Sequence, residues 1–202
     1  MKKKATREKA EYRSAVRSRK LIRQAYVELI KQKDIDHITI KDIVTRADIN
    51  RGTFYAHYSS VGAVSEQIEN EIIAALFQFL DEFKDKDTRL IENPLPFVTN
   101  IARFIENDLE FYRLLINSQR AAPFFNKFKA LFIDKIMSDE KKMSAIKNKN
   151  QFLVCVNLYA SGFAGLYQDW FNNRIKMSLN DLTVNFSEII KNGFKPFLPA
   201  KK

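Results

Sequence analysis

Residues 39–58 read TIKDIVTRADINRGTFYAHY, and their spacing predicts two short helices joined by a tight turn. Thr39 suits the N-cap of the first helix. Asp42, three residues on, completes a capping box, in which each side chain satisfies a backbone N–H at the other position. Ile40, Ile43, Val44 and Ala47 recur at i, i+3, i+4 and i+7, one face of a helix. Asp48 and Ile49 interrupt that pattern. Asn50 can cap a second helix, with Ile49 and Phe54 at the N′ and N4 positions of a hydrophobic staple. Phe54 and Tyr58, four apart, share its inner face, which leaves Arg51, Gly52, Thr53, Tyr55, Ala56 and His57 for the outer ones. Arg, Thr, Tyr and His on the outside of a two-turn helix is the composition of a DNA recognition helix. The plain alternative is a helix pair of the kind any small helical protein contains.

Charge supports the first reading. The 202 residues hold 34 Lys/Arg and 24 Asp/Glu, a net charge of +10. Residues 1–58 carry 15 of the basic and 7 of the acidic residues, so most of the surplus lies in the first quarter of the chain. A basic head on a nearly neutral body points to a polyanionic partner for the head. The rest of the composition excludes other classes. With only 5 Gly and 5 Pro, a turn-rich all-β fold does not fit, and an apolar share of 46% supplies a globular core. Cys155 is the only cysteine, so there is no internal disulfide and no cysteine-based zinc site, which suits a reducing compartment. The start, MKKKATREK, is not followed by an apolar segment as a secretory signal would be, and no run of 18 apolar residues exists to span a membrane. The expected location is the cytoplasm.

Outward from residues 39–58, periodicity predicts an all-α chain of about nine helices. Residues 1–13 are charged and read as a solvated tail, or as a basic arm that adds phosphate contacts. A helix is expected from Ser14 to Lys33, with Leu21, Ile22, Ala25, Tyr26, Leu29 and Ile30 inward and Arg13, Arg17, Arg19, Lys20 and Arg23 outward. It completes a three-helix head (1–60). A body follows (61–202), opening with a long helix from Val61 to Lys84 that begins beside the head and is the natural lever between the two. Residues 85–96 read as a loop. Helices are then expected at Phe97–Asp108, Leu109–Asn117 and Phe124–Met137, a loop or poor helix at 138–149, and helices at Gln151–Lys176 and Asn180–Phe194. Ala160, Ser161, Gly162, Ala164 and Gly165 make the middle of Gln151–Lys176 unusually small. Glycine within a helix costs roughly 1 kcal/mol against alanine, and close approach of another helix is the usual reason for it.

IVTRADINRGTFYAHY resembles the helix-turn-helix of TetR-family transcription regulators, with Ile43, Ala47, Ile49, Thr53, Phe54, Tyr55, His57 and Tyr58 matching identically or conservatively. Tyr159-Ala-Ser-Gly162-x-x-Gly165-x-x-x-x-Trp170 resembles the C-terminal domain of one branch of that family, which includes regulators of dihydroxyacetone kinase operons in low-GC Gram-positive bacteria. The resemblance implies a homodimer whose last two helices pack with those of a partner, and it places Tyr159, Gly162, Phe163, Gly165, Leu166, Trp170, Leu182, Phe186 and Ile189 at that interface. It implies that Tyr55, His57 and Thr39 hold DNA phosphates. The chain departs from the family pattern at Asp48, where glycine is usual, and at Val61, where a lysine is usual.

The residues themselves add further roles. Arg51 can grip guanine O6 and N7 in a bidentate fork, Thr53 can meet a base edge or a thymine methyl, and Gly52 lets the backbone come close. Lys41 and Arg46 are additional phosphate partners, and Asn50 and Tyr58 complete the expected DNA-binding set, although Tyr58 reads equally as core and His57 equally as a side chain packing on its neighbours. In the body, Asn100, Arg103, Phe104, Phe128, Phe132, Asn157, Tyr159 and Phe163 could line a ligand cavity, with plain core as the alternative for each aromatic. The expected partners are a double-stranded DNA operator, a second copy of the chain and a small-molecule or protein effector, with no membrane, metal or cofactor. Neither histidine, His37 or His57, is paired with a nucleophile, and no HExxH, phosphate-cradling glycine loop or G-x-S-x-G is present, so no enzymatic site is expected. A helical protein–protein adaptor would explain the amphipathic helices but not the basic head.

Overall fold

The computed structural model describes residues 2–82, 93–146 and 148–194, and the chain divides into two compact units, residues 1–72 and 73–202. Ten α-helices, one short 3-10 turn and no strands are found among the described residues.

In the first unit, α1 (Lys2–Ile30) packs against α2 (Ile40–Arg46) and α3 (Arg51–Tyr55), which also pack on each other. The start of α1 differs from expectation. The helix begins at Lys2 rather than Ser14, which follows from a stretch rich in the strong helix formers Ala, Lys, Arg and Glu. Its inner stripe is Ile22, Ala25, Tyr26, Leu29 and Ile30, all buried, and it meets Ile43 and Phe54, both with no exposed surface. Each such side chain contributes about 1.5–3 kcal/mol by leaving water, which is what holds two helices of seven and five residues that could not form alone. Arg13, Arg17, Arg19, Lys20 and Arg23 are exposed, as the periodicity predicts. A 3-10 turn at Ile35–His37, capped by the Asp34 side chain, leads into α2. The first part of α4 (Val61–Asp81) closes the unit with Val64 and Ile68 inward.

The second unit contains the remainder of α4 and then α5 (Leu95–Glu106), α6 (Leu109–Ile116), α7 (Ala121–Met137), α8 (Glu140–Ala145), α9 (Lys149–Phe171) and α10 (Leu179–Phe194). The expected loop at 85–96 lies largely outside the described residues. The segment read as a loop or poor helix forms the six-residue α8. α9 stops at Phe171, five residues before the expected end, because Asn173 takes a left-handed backbone conformation (φ 55°) that a helix does not continue through. The Trp170 indole N–H donates to the Met177 carbonyl across the resulting turn. α5 packs along α10, and α7 along α9. The core is Phe97, Val98, Ile101, Phe111, Leu115, Phe124, Phe128, Val156, Tyr167, Leu182 and Phe186. A satellite cluster of Met143, Phe152, Val156 and Phe194 ties α8, α9 and α10 together. On α7 the buried stripe runs through Phe124 and Phe128, while Leu131 is 39% exposed.

Candidate nucleic-acid interface

The turn between α2 and α3 is built by local hydrogen bonds. The Thr39 hydroxyl accepts from the Asp42 amide at 3.2 Å, and the Asp42 carboxylate accepts from the Thr39 amide at 2.8 Å and the Thr39 hydroxyl at 2.7 Å. Lys33 reaches back from beyond α1 and donates to the same carboxylate oxygen at 2.7 Å. The Lys33 ammonium and then the Thr39 donors hold the Asp42 carboxyl well below the usual carboxylate range. α2 ends at Ala47, after which Asp48 sits at φ 51°, a left-handed conformation that Asp tolerates better than most side chains. The Asn50 side chain then accepts from the Thr53 amide at 2.7 Å and starts α3. A Cβ on Gly52 would stand 3.2 Å from that Asn50 oxygen, so the glycine keeps the capping side chain unobstructed.

The expected DNA contacts divide by exposure. Arg51, Gly52 and Tyr55 are exposed, Thr53 and His57 half-buried, and Tyr58 buried beside the inward Phe54. The Tyr58 phenol donates to the Gln67 side chain at 2.6 Å, and burial together with the nearby Glu71 charge raises its pKa. Tyr58 is thus a core residue with an engaged hydroxyl. Lys41 and Thr39 are exposed at the start of α2. Arg46 is exposed but engaged, its guanidinium donating to Glu28 on α1 at 3.2 Å and to Gln32 in the turn that follows α1. Lys33, Glu28 and Gln32, which fasten α2 to α1, were not legible as site residues because their pairing depends on how the helices cross.

In the body, the expected pocket residues fall in three places. Phe128, Phe132, Tyr159 and Phe163 line an apolar crevice of about 50 Å³ together with Phe97, Val98, Ile101, Ala160, Phe186 and Ile190. Asn100, Arg103 and Phe104 instead line a depression open to solvent, about 350 Å³, with Phe79, Glu82 and Asn107. Asn157 joins neither, since its side-chain amide donates to the Leu153 carbonyl of its own helix at 3.1 Å. The crevice is far below the roughly 300–1,000 Å³ of ordinary small-molecule sites.

The residues expected at a dimer interface also separate. Leu182 and Phe186 are buried in this chain's own core, and Phe163 packs between Phe128, Tyr167 and Phe186. Tyr159 stacks on Phe194 and donates to the Ile189 carbonyl at 3.1 Å. Leu166 and Trp170 are half-buried and Ile189 is 56% exposed. Among the described residues no other helix approaches Gly162 or Gly165, where a Cβ would meet nothing within 4 Å. The tight glycine is Gly193, whose Cβ would fall 1.5 Å from the Tyr159 phenol oxygen. Val154 (67%), Leu158 (65%) and Val184 (41%) are exposed apolar side chains on the same two helices that sequence reasoning passed over. The signal was present: α9 is apolar all round, a stripe through 152, 156, 160, 163 and 167 on one side and 154, 158, 162 and 165 on the other, and a fully apolar helix has a second face to cover.

Two family patterns match this architecture. Residues 22–63, the head from mid-α1 to the start of α4, match the family described as bacterial regulatory proteins, tetR family. Residues 92–192, half of the chain, match the TetR family's transcriptional regulator C-terminal region. The chain belongs to the TetR family. Among curated proteins it is similar to the HTH-type transcriptional regulators YxbF (27% identical over 105 residues, 52% of this chain and 28% of that protein) and YvdT (35% over 65 residues, 32% of each), both of Bacillus subtilis (strain 168). The matched stretches thus span less than a third of either relative. Among solved structures it shares its fold with the dihydroxyacetone kinase operon activator DhaS (TM-score 0.64, 18% identity, 90% of this chain and 98% of that one) and with a TetR transcriptional regulator from Streptococcus agalactiae 2603V (TM-score 0.62, 17% identity, 91% and 98%). As a TetR-family chain it is a DNA-binding transcription regulator. No helix among the described residues is long and apolar enough to cross a membrane.

Proposed function

We propose that this TetR-family chain acts in the cytoplasm as a homodimeric repressor that binds a pseudo-palindromic operator and is released by a small-molecule or protein effector. The observation that carries the reading is α3 with the turn after it, which keeps Phe54 and Tyr58 inside and leaves Arg51 and Tyr55 exposed on a strongly basic head. In this reading Arg51 and Thr53 read base edges in the major groove, with Gly52 allowing close approach and Asn50 fixing the helix start. Thr39, Lys41, Tyr55 and His57 hold phosphates, and Arg46 does so while remaining tied to α1. Gly162 and Gly165 admit a partner's helix, with Leu166, Trp170 and Ile189 beside them and the exposed Val154, Leu158 and Val184 supplying apolar area. Residues 1–60 serve as the DNA-binding part and 61–202 as the effector and dimerisation part. α4 carries residues of both compact units, so an effector that moves it would change the spacing of the two heads.

A second reading, activation, is favoured by the structural relative DhaS, an operon activator. Binding of the full chain to duplex DNA, measured against salt and alongside sedimentation, tests the proposal. A dimer that prefers one palindrome and loses affinity steeply with salt supports it. A monomer, or equal affinity for all duplexes, refutes it.

A further inference from the structure

Three hydrogen bonds join the end of the recognition helix to α1 by way of α4, all within residues 1–72. The Tyr58 phenol donates to Gln67 Oε1 at 2.6 Å. Gln67 Nε2 donates to Glu71 Oε1 at 2.9 Å. Arg23 Nε donates to Glu71 Oε2 at 2.8 Å. Chemistry permits one direction only. An ionised carboxylate accepts and cannot donate, and a guanidinium donates and cannot accept. The Gln67 amide must therefore turn its NH2 to Glu71, which leaves its oxygen for Tyr58 and obliges the phenol to donate. The opposite setting of the amide would set its oxygen against the Glu71 carboxylate.

α3 has five residues and too few hydrogen bonds of its own to hold a direction in space. Its orientation is set by its attachments. Asn50 fixes the start. At the other end, Tyr58 follows the last turn, bonded to the Phe54 carbonyl at 2.9 Å and with its ring 5.9 Å from that of Phe54. Packing buries the ring but does not fix its hydroxyl, and the Gln67 oxygen does. The outer Arg23–Glu71 pair is 46% and 42% exposed, so alone it would add little stability; its consequence is to orient the amide.

We propose that Gln67, held by Glu71 and Arg23, is a positioning residue for sequence recognition, acting through the Tyr58 hydroxyl on the direction of α3. The proposal rests on the reading of α3 as the base-reading helix. It concerns selectivity rather than general DNA affinity, because bidentate base contacts tolerate little misplacement whereas phosphate contacts from mobile Lys and Arg tolerate more.

The test uses the full chain and an operator selected by the wild-type protein from random duplexes, with a scrambled duplex as control. Gln67→Met and Tyr58→Phe should each weaken operator binding about five- to tenfold, the effect of one hydrogen bond, while scrambled DNA is bound as before. The double variant should be no weaker than either single one, since both cut the same chain. Gln67→Glu, which sets two carboxylates against each other, should also lose selectivity, and adding Glu71→Gln should restore it by re-forming the chain with acid and amide exchanged. Equal losses on operator and scrambled DNA would mean a merely structural role, and failure of the exchange to restore selectivity would equally overturn the proposal. Arg51→Ala on the same operator separates the two readings. If it leaves selectivity unchanged, the base-reading role of α3 falls and the proposal with it. If it destroys selectivity while Gln67→Met does not, only the positioning role falls.

Discussion

Gly193→Ala tests the packing of α9 on α10 most directly, because two physical effects oppose each other there. Helix propensity alone favours alanine by about 1 kcal/mol. The structure opposes it: the new Cβ would lie 1.5 Å from the Tyr159 Oη, 2.6 Å from Cζ and 3.2 Å from Cε2. Those atoms belong to a stiff ring that packs 5.0 Å from Phe194 and donates to the Ile189 carbonyl, so the ring cannot move without losing both contacts. Overpacking of this kind costs about 1–3 kcal/mol, and the lost hydrogen bond adds about 0.5–1.5 kcal/mol. After subtraction of the propensity gain, a net loss centred on about 2 kcal/mol remains. For a chain of this length that lowers Tm by about 4–8 °C. Thermal unfolding of wild type, Gly193→Ala, Tyr159→Phe and the double variant gives the answer as a cycle. Tyr159→Phe removes the atom at 1.5 Å, so Gly193→Ala should cost at least about 1 kcal/mol less in that background. The reasoning is refuted if Gly193→Ala melts at or above the wild-type temperature, or if Tyr159→Phe leaves its cost unchanged.

Three further outcomes are expected. Arg51→Ala should lose about 1–3 kcal/mol of operator binding and relax the preference at one base pair, measured by binding to operators varied at each position; a uniform loss over all duplexes would make Arg51 a phosphate contact. Gly165→Leu should weaken self-association in sedimentation without lowering Tm of the dissociated chain, because beyond its chain neighbours and its own helical backbone no described atom lies within 4 Å of the new Cβ and leucine is the better helix former; an intact dimer would remove Gly165 from the interface. The depressed Asp42 carboxyl, whose first cause is Lys33, contributes stability that is present above the ordinary carboxylate value of about 3.9 and is lost as pH falls below it. The difference in melting temperature between wild type and Lys33→Met should therefore be largest near neutrality and shrink below about pH 4, and a difference that does not change with pH would show that Lys33 does not act on Asp42.

What could be read from the sequence was what neighbouring residues decide among themselves. The caps at Thr39 and Asn50, the Asp42 partner and the inward placement of Phe54 are all settled within four positions of the chain, and all are present in the structure. Asp48 was legible for the same reason, since a turn that usually holds glycine needs a residue able to take positive φ. Features that depend on how helices cross were not legible. A sequence shows that Gly162, Gly165 and Gly193 are glycines but not that Tyr159 reaches the last of them. The aromatic and polar residues grouped as one pocket belong to a crevice and a separate depression, because Asn100 and Arg103 lie on a different side of α5 from Phe97 and Ile101. The early end of α9 turned on Asn173, an asparagine like several others until its backbone conformation is seen.

The division of labour along α3 has a consequence for how such a protein changes over generations. Asn50, Phe54 and Tyr58 hold the helix, and none of them needs to alter for a different DNA sequence to be read. In the proposed reading Arg51, Thr53, Tyr55 and His57 are the residues that meet a base pair or a phosphate, and little of the fold's stability depends on Arg51 and Tyr55, both exposed. Surface substitutions away from special features usually stay within about 0.5 kcal/mol. The alphabet presented to DNA is thus free to drift while its mounting is conserved by folding itself, and duplicated copies of such a gene can acquire separate operators through one or two substitutions without passing through an unfolded intermediate.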